Sequence, residues 1–149
     1  MSDGQGALVP QTIVRDKYAL FKHEFLEFLF AELVEMRPIF RNDLDSLLVF
    51  TAISRHYLRD ERVGLSPADE SHGFTIKRIA EATTIPRETV RRKLRELESR
   101  GLLEKGPHDE WRIAVRDGLP VIRTEYEDSW RREMDRVVKF IKALKDYVE

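Results

Sequence analysis

The apolar positions of residues 74–100 follow two short helical periods separated by a turn. In the first period, Ile76, Ile79 and Ala80 recur at the spacing of one helix face, and Thr75 stands where a side-chain cap is needed. In the second period, an apolar stripe repeats at intervals of four and three residues and is formed by Val90, Leu94 and Leu97. The pattern therefore predicts two short helices that pack through these faces.

Residues with special backbone preferences mark the ends of these helices. Residues 83–85 form the predicted turn, and Pro86 begins the second helix with its φ already fixed. Gly101 is a natural C-cap for that helix. Beyond it, residues 102–105 and 110–115 alternate between apolar and polar side chains around a short Gly-Pro turn, which predicts a β-hairpin.

Two further helices are predicted before this segment. Residues 16–36 have apolar side chains along two neighbouring lines, an arc too wide for a helix that rests on one neighbour. These side chains include Phe21, Phe25, Leu26, Phe28, Leu29, Phe30 and Leu33. We expect a second surface, such as another subunit, to cover this arc, and we expect Arg37 and Pro38 to end the helix.

The next helix is predicted over residues 44–59, with Asn42 or Asp43 as its N-cap. Its predicted packing set is Leu47, Leu48, Phe50, Ile53, Ser54 and Tyr57. A long polar loop over residues 59–73 follows it.

The last predicted element is one long helix over residues 121–149. Its apolar residues recur at alternating spacings of four and three, which is the seam of a coiled coil. The seam consists of Tyr126, Trp130, Met134, Val137, Ile141, Leu144 and Val148. Packing on its own domain would also use such a stripe, but the wide apolar arc of residues 16–36 favours a homodimer built by both terminal helices.

The charge of the chain is unevenly distributed. The formal net charge of the 149 residues is −1, whereas residues 74–116 carry 11 Lys and Arg against 7 Asp and Glu. A basic segment on an acidic remainder is consistent with a local nucleic-acid footprint.

Composition excludes several other classes of protein. The absence of cysteine rules out disulfides, thiolate catalysis and cysteine-based metal sites. The N-terminal residues lack the basic and apolar regions of a signal peptide, and the most apolar helix is interrupted by charged residues, so we expect a cytoplasmic protein that does not cross a membrane. The four histidines are scattered without metal-ligand spacing, and no glycine-rich phosphate loop or nucleophile motif occurs. We therefore expect no enzyme activity, no metal site and no cofactor.

The order of elements over residues 44–115 resembles the winged helix-turn-helix transcription regulators. The long flanking helices extend the likeness to the MarR-like dimeric regulators, and residues 86–94 (PRETVRRKL) are similar to the recognition helix of the Crp/Fnr group. The resemblance implies a mainly α fold with a small β-hairpin, in which a winged helix-turn-helix is flanked by long terminal dimerisation helices. Under this hypothesis residues 1–14 are a flexible arm and residues 15–149 are one domain.

Within that domain, the resemblance implies a DNA-binding core over residues 44–116 and dimerisation helices over residues 16–37 and 121–149. The recognition helix, residues 86–100, would lie in the major groove of double-stranded DNA. Two subunits would then read a pseudo-palindrome with half-sites about one helical turn apart.

Arginine can bind guanine with two hydrogen bonds, and glutamate can accept one from the cytosine amino group. By resemblance to the Crp/Fnr pattern, the base readers are Arg87, Glu88 and Arg92. Phosphate contacts are expected from Thr75, Lys77, Arg78, Thr89, Arg91 and Arg95. In the wing, Lys105, His108 and Arg112 could contact the DNA backbone or the minor groove. The dimer interface is expected to include Phe21, Phe25, Phe28, Tyr126, Trp130, Met134, Val137, Ile141 and Leu144.

Two departures from the family pattern modify these expectations. Thr84 stands where these regulators often carry glycine, which predicts a turn that is either longer or not left-handed at that point. The wing lacks the Asp-x-Arg-Arg pattern of MarR-like proteins and has two acids, Asp109 and Glu110, near its tip, which argues against a deep minor-groove contact.

Two further possibilities remain open from the sequence. The aromatic residues Phe21, Phe25, Phe28, Tyr126 and Trp130 could line a pocket for a small-molecule effector, although such stripes are more often core. The fold could also serve as a protein–protein interaction module that does not read DNA.

Overall fold

The computed structural model describes residues 17–62 and 73–148, and these residues form a mainly helical fold with small antiparallel sheets. The helices are α1 (Tyr18–Ile39), α2 (Leu44–Arg62), α3 (Ile76–Thr83), α4 (Arg87–Ser99), α5 (Val121–Glu125) and α6 (Glu127–Val148). The strands are β1 (Phe74–Thr75), β2 (Leu103–Lys105), β3 (Glu110–Ile113), β4 (Val115–Arg116) and β5 (Leu119–Pro120). The prediction of a mainly α fold with a small hairpin is confirmed. The predicted arm over residues 1–14 and most of the predicted loop over residues 59–73 lie outside the described residues.

The chain divides into two compact units. Residues 37–127 form one unit, which contains α2 to α5 and all the strands named above. The other unit comprises residues 17–36, which belong to α1 from Tyr18 onward, and residues 128–148, which belong to α6.

The core of the 37–127 unit lies among α2, α3, α4 and a three-stranded sheet. Strand β3 is the centre of this sheet, with β1 paired on one side and β2 on the other, both antiparallel. The most deeply buried side chains are Val49, Ile53, Ile79, Val90, Leu94, Leu97, Leu102 and Leu103. The predicted face of α4 and Ile79 of α3 thus contribute to one core, whereas Ile76 and Ala80 are only partly buried.

The ends of these helices follow local rules. The hydroxyl of Thr75 accepts a hydrogen bond from the backbone N–H of Arg78 at 3.3 Å, so the predicted cap of α3 is confirmed. At the end of α4, Gly101 has φ +73, and the next N–H, of Leu102, bonds to the carbonyl of Leu97 at 3.1 Å. This six-to-one bond is a Schellman ending, whose left-handed position favours glycine.

The predicted packing set of α2 is confirmed in part. Phe50 and Ile53 are buried and Leu48 is 39% exposed, and the buried positions that were not predicted are Ser46, Val49, Ala52 and His56. His56 stacks on Phe74 of β1 with ring centroids 5.0 Å apart. This contact with a distant residue accompanies the burial of His56, which the spacing of apolar residues did not predict.

The predicted end of α1 is also wrong. Pro38 lies inside the helix, which continues to Ile39. Pro38 has no N–H to donate to the carbonyl four residues earlier, and the helix ends one residue after it. The chain then turns through Arg41 and Asn42, which both have positive φ, and the N–H of Asn42 bonds to the carbonyl of Arg37 at 2.8 Å.

The predicted continuous helix over residues 121–149 is interrupted at Tyr126, where φ is −119° and ψ is 47°. The Tyr126 hydroxyl accepts a hydrogen bond from the Arg100 guanidinium at 3.1 Å. A tertiary contact therefore accompanies a break that the heptad pattern alone could not indicate. The first residue of the predicted seam, Tyr126, therefore lies at the break, and the next, Trp130, lies in α6.

The structure adds a second hairpin, which was not predicted. Strands β4 and β5 pair across a two-residue turn of Asp117 and Gly118, both with positive φ. Asp-Gly is a preferred sequence for such a tight turn.

Candidate nucleic-acid interface

Helix α4 has one buried face and one exposed face. Val90, Leu94 and Leu97 are fully buried, which confirms the predicted stripe. At 3.6 residues per turn, the opposite face carries Glu88, Arg91, Arg92 and Arg95. Except for the half-buried Arg91, these side chains are exposed. The core therefore holds the helix so that its charged face points into solvent.

The turn before α4 is short and left-handed. Thr84 has φ 59° and ψ 21°, so the prediction that the turn is longer or not left-handed is corrected. Hydrogen bonds stabilise this turn, since the Thr83 hydroxyl donates to the Ile79 carbonyl at 2.7 Å and accepts from the Ile85 N–H at 3.3 Å. Pro86 has φ −58° and is the N-cap residue, with α4 beginning at Arg87.

Two interactions hold α4 against its surroundings. The Lys93 ammonium donates to the Asp43 carboxylate at 2.5 Å, and Asp43 also caps α2 by accepting from the Ser46 N–H at 3.1 Å. At the other end of α4, the Arg100 guanidinium donates to the Ile39 carbonyl at 2.6 Å. Neither Lys93 nor Arg100 is available to a ligand in this arrangement, so both are positioning residues.

Burial disfavours ionisation of Asp43, but the hydrogen bonds from Lys93 and Ser46 outweigh it. The pKa of Asp43 is consequently lowered below its ordinary value. The carboxylate is therefore charged at neutral pH, as the ion pair requires.

An open cavity of about 440 Å³ brings together side chains from α3, α4 and the β2–β3 hairpin. We call it the basic cavity. Its lining residues are Thr75, Ile76, Lys77, Arg91, Arg95, Lys105 and Asp109. Five of these seven are residues for which DNA contacts were predicted, and four of those five are cations. Residues that are distant in sequence thus form one positively charged recess.

The other predicted DNA contacts lie outside the lining of the basic cavity. Arg87, Glu88, Arg92 and Arg78 are exposed, and Thr89 and Arg112 are partly buried. The Arg78 guanidinium lies 4.8 Å from the centroid of the Phe74 ring, which restrains it over an aromatic face.

Several cations of this surface already have acidic partners. Arg91 bonds to Glu88 at 2.9 Å on α4, and Arg112 lies 3.7 Å from its cross-strand neighbour Glu104. These pairs are partly or largely exposed, so each contributes little to stability and can be exchanged for another anion.

Asp109 is the charged residue of the basic cavity that was not predicted as part of the site. Its carboxylate lies 2.9 Å from the Lys105 ammonium. The hydrogen bond from Lys105 and the positive charges of Lys105 and Arg91 lower the pKa of Asp109. The four-residue spacing between Lys105 and Asp109 across the hairpin turn is the sequence signal that could have suggested this pair.

The predicted dimer residues occupy different environments. Phe28 stacks on Phe140 of α6 with ring centroids 5.0 Å apart, so it packs within its own chain. Tyr126 bonds to Arg100, as described above, whereas Met134 and Ile141 are exposed. The remaining members, Phe21, Phe25, Trp130, Val137 and Leu144, are partly buried or at the limit of exposure. The possible effector site among these aromatic residues stays a prediction.

Two observations concern other kinds of site. Among the residues that the structure describes, no three His, Asp or Glu side chains form a group that could hold a metal ion. Over the same part of the chain, no helix has the length and apolar character needed to cross a membrane.

Comparisons of the chain with models of protein families, with curated proteins and with solved structures found no match.

Proposed function

We propose that the protein is a sequence-specific DNA-binding transcription regulator that acts as a homodimer and places α4 in the major groove. The observation that carries this proposal is the basic cavity beside the exposed charged face of α4. The four cations of the recess complement the negative charge of a phosphate backbone. The solvent-facing arginines of the adjacent helix could then contact base edges.

The order of elements supports a winged helix-turn-helix. Helices α3 and α4 are joined by a short left-handed turn, pack together and are followed by the β2–β3 hairpin as the wing. Strand β1 enters the same sheet directly before α3, which ties the start of this helix to the base of the wing.

The chemistry of α4 suits a reader of base edges. Arg87, Glu88 and Arg92 lie in its first two turns with exposed side chains. Arginine at such positions can bind guanine with two hydrogen bonds. Cations of the basic cavity would meanwhile bind phosphates and fix the register of the helix on the duplex.

The helices of the second unit support the homodimer. In α1, Phe28, Glu32 and Glu35 contact α6, through a ring stack with Phe140 and ion pairs of 2.6 Å with Arg136 and Arg132. Helical periodicity places a second apolar stripe on the opposite side of α1, and it is exposed. This stripe consists of Leu26, Phe30, Leu33 and Val34.

Helix α6, like α1, has one side that contacts the other helix and an opposite side that is apolar and exposed. Its contacts with α1 use Arg132, Arg136 and Phe140, while Met134, Val138 and Ile141 are exposed on the other side. Exposed apolar stripes on two neighbouring helices fit a second copy that offers the same stripes, since a two-fold interface is self-complementary. We propose this pairing as the device that sets the spacing of the two α4 helices. Because such a regulator works where the DNA is, we propose a cytoplasmic location.

Fluorescence anisotropy with a mixed-sequence duplex, titrated with salt, tests the proposal. We expect affinity to fall steeply with salt, because each neutralised phosphate contributes a slope of about −0.9. The variant Arg91→Ala/Arg95→Ala should reduce the slope by up to about 2. Its matched control is Arg55→Ala/Lys139→Ala, which removes the same charge at exposed positions outside the site and should leave the slope near that of the wild type.

Sequence reading requires a second measurement, in which bound sites are selected from a random DNA pool. The selected sites should be pseudo-palindromic, and Arg87→Ala or Arg92→Ala should cost about 1–3 kcal/mol on them while relaxing the preference at one position. If the affinity of the wild type does not depend on salt and these variants change nothing, the regulator is refuted in favour of a protein–protein interaction module.

A further inference from the structure

Asp109 is the one acidic residue that lines the basic cavity, beside four cations. Besides Asp109, the charged residues that line the basic cavity are Lys77, Arg91, Arg95 and Lys105. The Asp109 carboxylate lies 2.9 Å from the Lys105 ammonium, and its side chain is 86% exposed. An exposed ion pair of this kind is weak, because water and salt screen it. The pair can therefore open when a stronger anion arrives.

A carboxylate and a phosphate group make the same demand on such a recess. Both present oxygen atoms that share a negative charge and accept hydrogen bonds from ammonium and guanidinium groups. A phosphate that enters the basic cavity meets Lys105 while Lys105 is bonded to Asp109. Either Asp109 releases Lys105, or two anions face each other across one cation. Both outcomes weaken phosphate binding relative to a cavity without the acid.

We propose that Asp109 is a built-in competitor for the phosphate group that the basic cavity binds, and that it thereby limits the affinity of the protein for DNA. The inference rests on the proposed DNA-binding function. It adds a residue that opposes binding to the residues that promote it.

The backbone at Asp109 allows a clean substitution. Asp109 has φ +53°, a left-handed conformation that asparagine tolerates nearly as well as aspartate. Asp109→Asn therefore removes the charge and leaves the shape of the hairpin tip. The second hairpin offers a matched control, because Asp117 has φ +55°, is exposed and does not line the basic cavity. Asp117→Asn makes the same change of charge in the same backbone conformation.

The experiment measures anisotropy of a mixed-sequence duplex with the full chain over a range of salt. We expect Asp109→Asn to bind roughly two- to fivefold more tightly than the wild type at low salt, in keeping with one exposed ion pair. Its salt slope should be steeper by up to about 0.9, because Lys105 becomes fully available to a phosphate. The control Asp117→Asn should gain less affinity and keep the slope of the wild type.

A double-mutant cycle with Lys105→Ala identifies the partner. If Asp109 acts through Lys105, the gain from Asp109→Asn should disappear in the Lys105→Ala background. If the gain persists there, or if Asp117→Asn gives an equal gain, Asp109 acts only through the net charge of the protein and the inference is overturned.

A second arm separates the inference from the proposed function. Inorganic phosphate is titrated into the wild type and into Asp109→Asn while the amide signals of the β2–β3 hairpin are followed by NMR. Tighter phosphate binding by Asp109→Asn, combined with salt-independent DNA binding by the wild type, would support the competitor and refute the regulator. Equal phosphate binding, combined with salt-dependent DNA binding that Asp109→Asn does not strengthen, would overturn the competitor and leave the regulator standing.

Discussion

Asp43 performs two tasks with the two oxygens of one carboxylate, and substitutions can separate them. One oxygen accepts from the Ser46 N–H at the start of α2, and the other accepts from the Lys93 ammonium of α4. Asparagine caps helices as well as aspartate does, so Asp43→Asn keeps the first bond and loses the charge of the second. Asp43→Ala loses both.

The magnitude follows from the burial of the pair. The side chains of Asp43 and Lys93 are 28% and 13% exposed, so the ion pair is screened less than a surface pair. Glu96 lies 3.8 Å from the same ammonium and compensates only in part. We expect Asp43→Asn to lower the free energy of unfolding by about 1–2 kcal/mol, between the values for exposed pairs and for hydrogen bonds to buried charges. Asp43→Ala should cost about 1 kcal/mol more, for the lost cap.

Urea unfolding followed by tryptophan fluorescence measures these differences. Trp111 is buried in the same unit as Asp43, whereas Trp130 belongs to the other unit. All variants should therefore be made in a Trp130→Phe background, so that Trp111 reports on the relevant unit alone.

The pH dependence of the free energy of unfolding tests whether the ion pair of Asp43 with Lys93 stabilises the fold. Burial alone would raise the pKa of Asp43, but the hydrogen bonds from Lys93 and Ser46 lower it below its ordinary value. A carboxyl whose pKa is lowered in the folded state stabilises above its unfolded pKa, and this stability is lost as the pH falls through the folded pKa. The difference between the wild type and Asp43→Asn should thus be full at pH 7 and vanish in strong acid. A difference that stays constant down to pH 2, or no difference at pH 7, would show that the ion pair does not stabilise the fold.

Two further predictions concern the proposed dimer and the turn before α4. Phe30 is 71% exposed, and Phe30→Glu should reduce the mass measured by sedimentation at micromolar concentration from that of a dimer to that of a monomer. Leu58 is 59% exposed in the other unit, and Leu58→Glu should leave the mass unchanged. A monomeric wild type would contradict the proposed dimer. Thr84→Gly should raise the melting temperature by a few degrees. A threonine in the left-handed conformation destabilises the folded state by about 1–2 kcal/mol. The greater conformational entropy of glycine in the unfolded chain offsets only part of the gain from removing this strain. A lower melting temperature would show that the hydrogen bond from the Thr84 hydroxyl to the Thr83 carbonyl, at 2.6 Å, outweighs the backbone strain.

The features that could be predicted from the sequence depend on neighbours in the chain. The stripe of Val90, Leu94 and Leu97 and the ending at Gly101 follow from helical spacing and from the freedom of glycine at positive φ. The cap at Thr75 follows from a hydroxyl placed before an apolar period. No distant residue is needed to specify any of these, so the pattern is sufficient.

The features that were missed depend on distant residues. Leu48 and Val49 are both apolar, and only the packing of α2 against α3, α4 and β3 selects Val49 for the core. The break at Tyr126 coincides with a hydrogen bond from Arg100, 26 positions earlier in the chain. The heptad spacing continues through this break, so the spacing could not locate it. The β4–β5 hairpin, in contrast, depends on neighbours in the chain, because Asp117-Gly118 is a preferred sequence for a tight turn.

The candidate site also combines a feature that the sequence shows with one that depends on the fold, and the second affects its affinity for DNA. The excess of positive charge over residues 74–116 could be counted from the sequence, but its distribution into pairs could not. Arg91, Lys105 and Arg112 each have an acidic partner within 4 Å. A phosphate that binds one of these cations replaces a carboxylate rather than filling an empty place, so the net gain per contact is reduced. The salt slope of DNA binding should therefore be smaller than the number of cations on this surface implies. The acids near the wing, which looked unfavourable for DNA contact from the sequence, would then set how tightly the arginines and lysines hold a duplex.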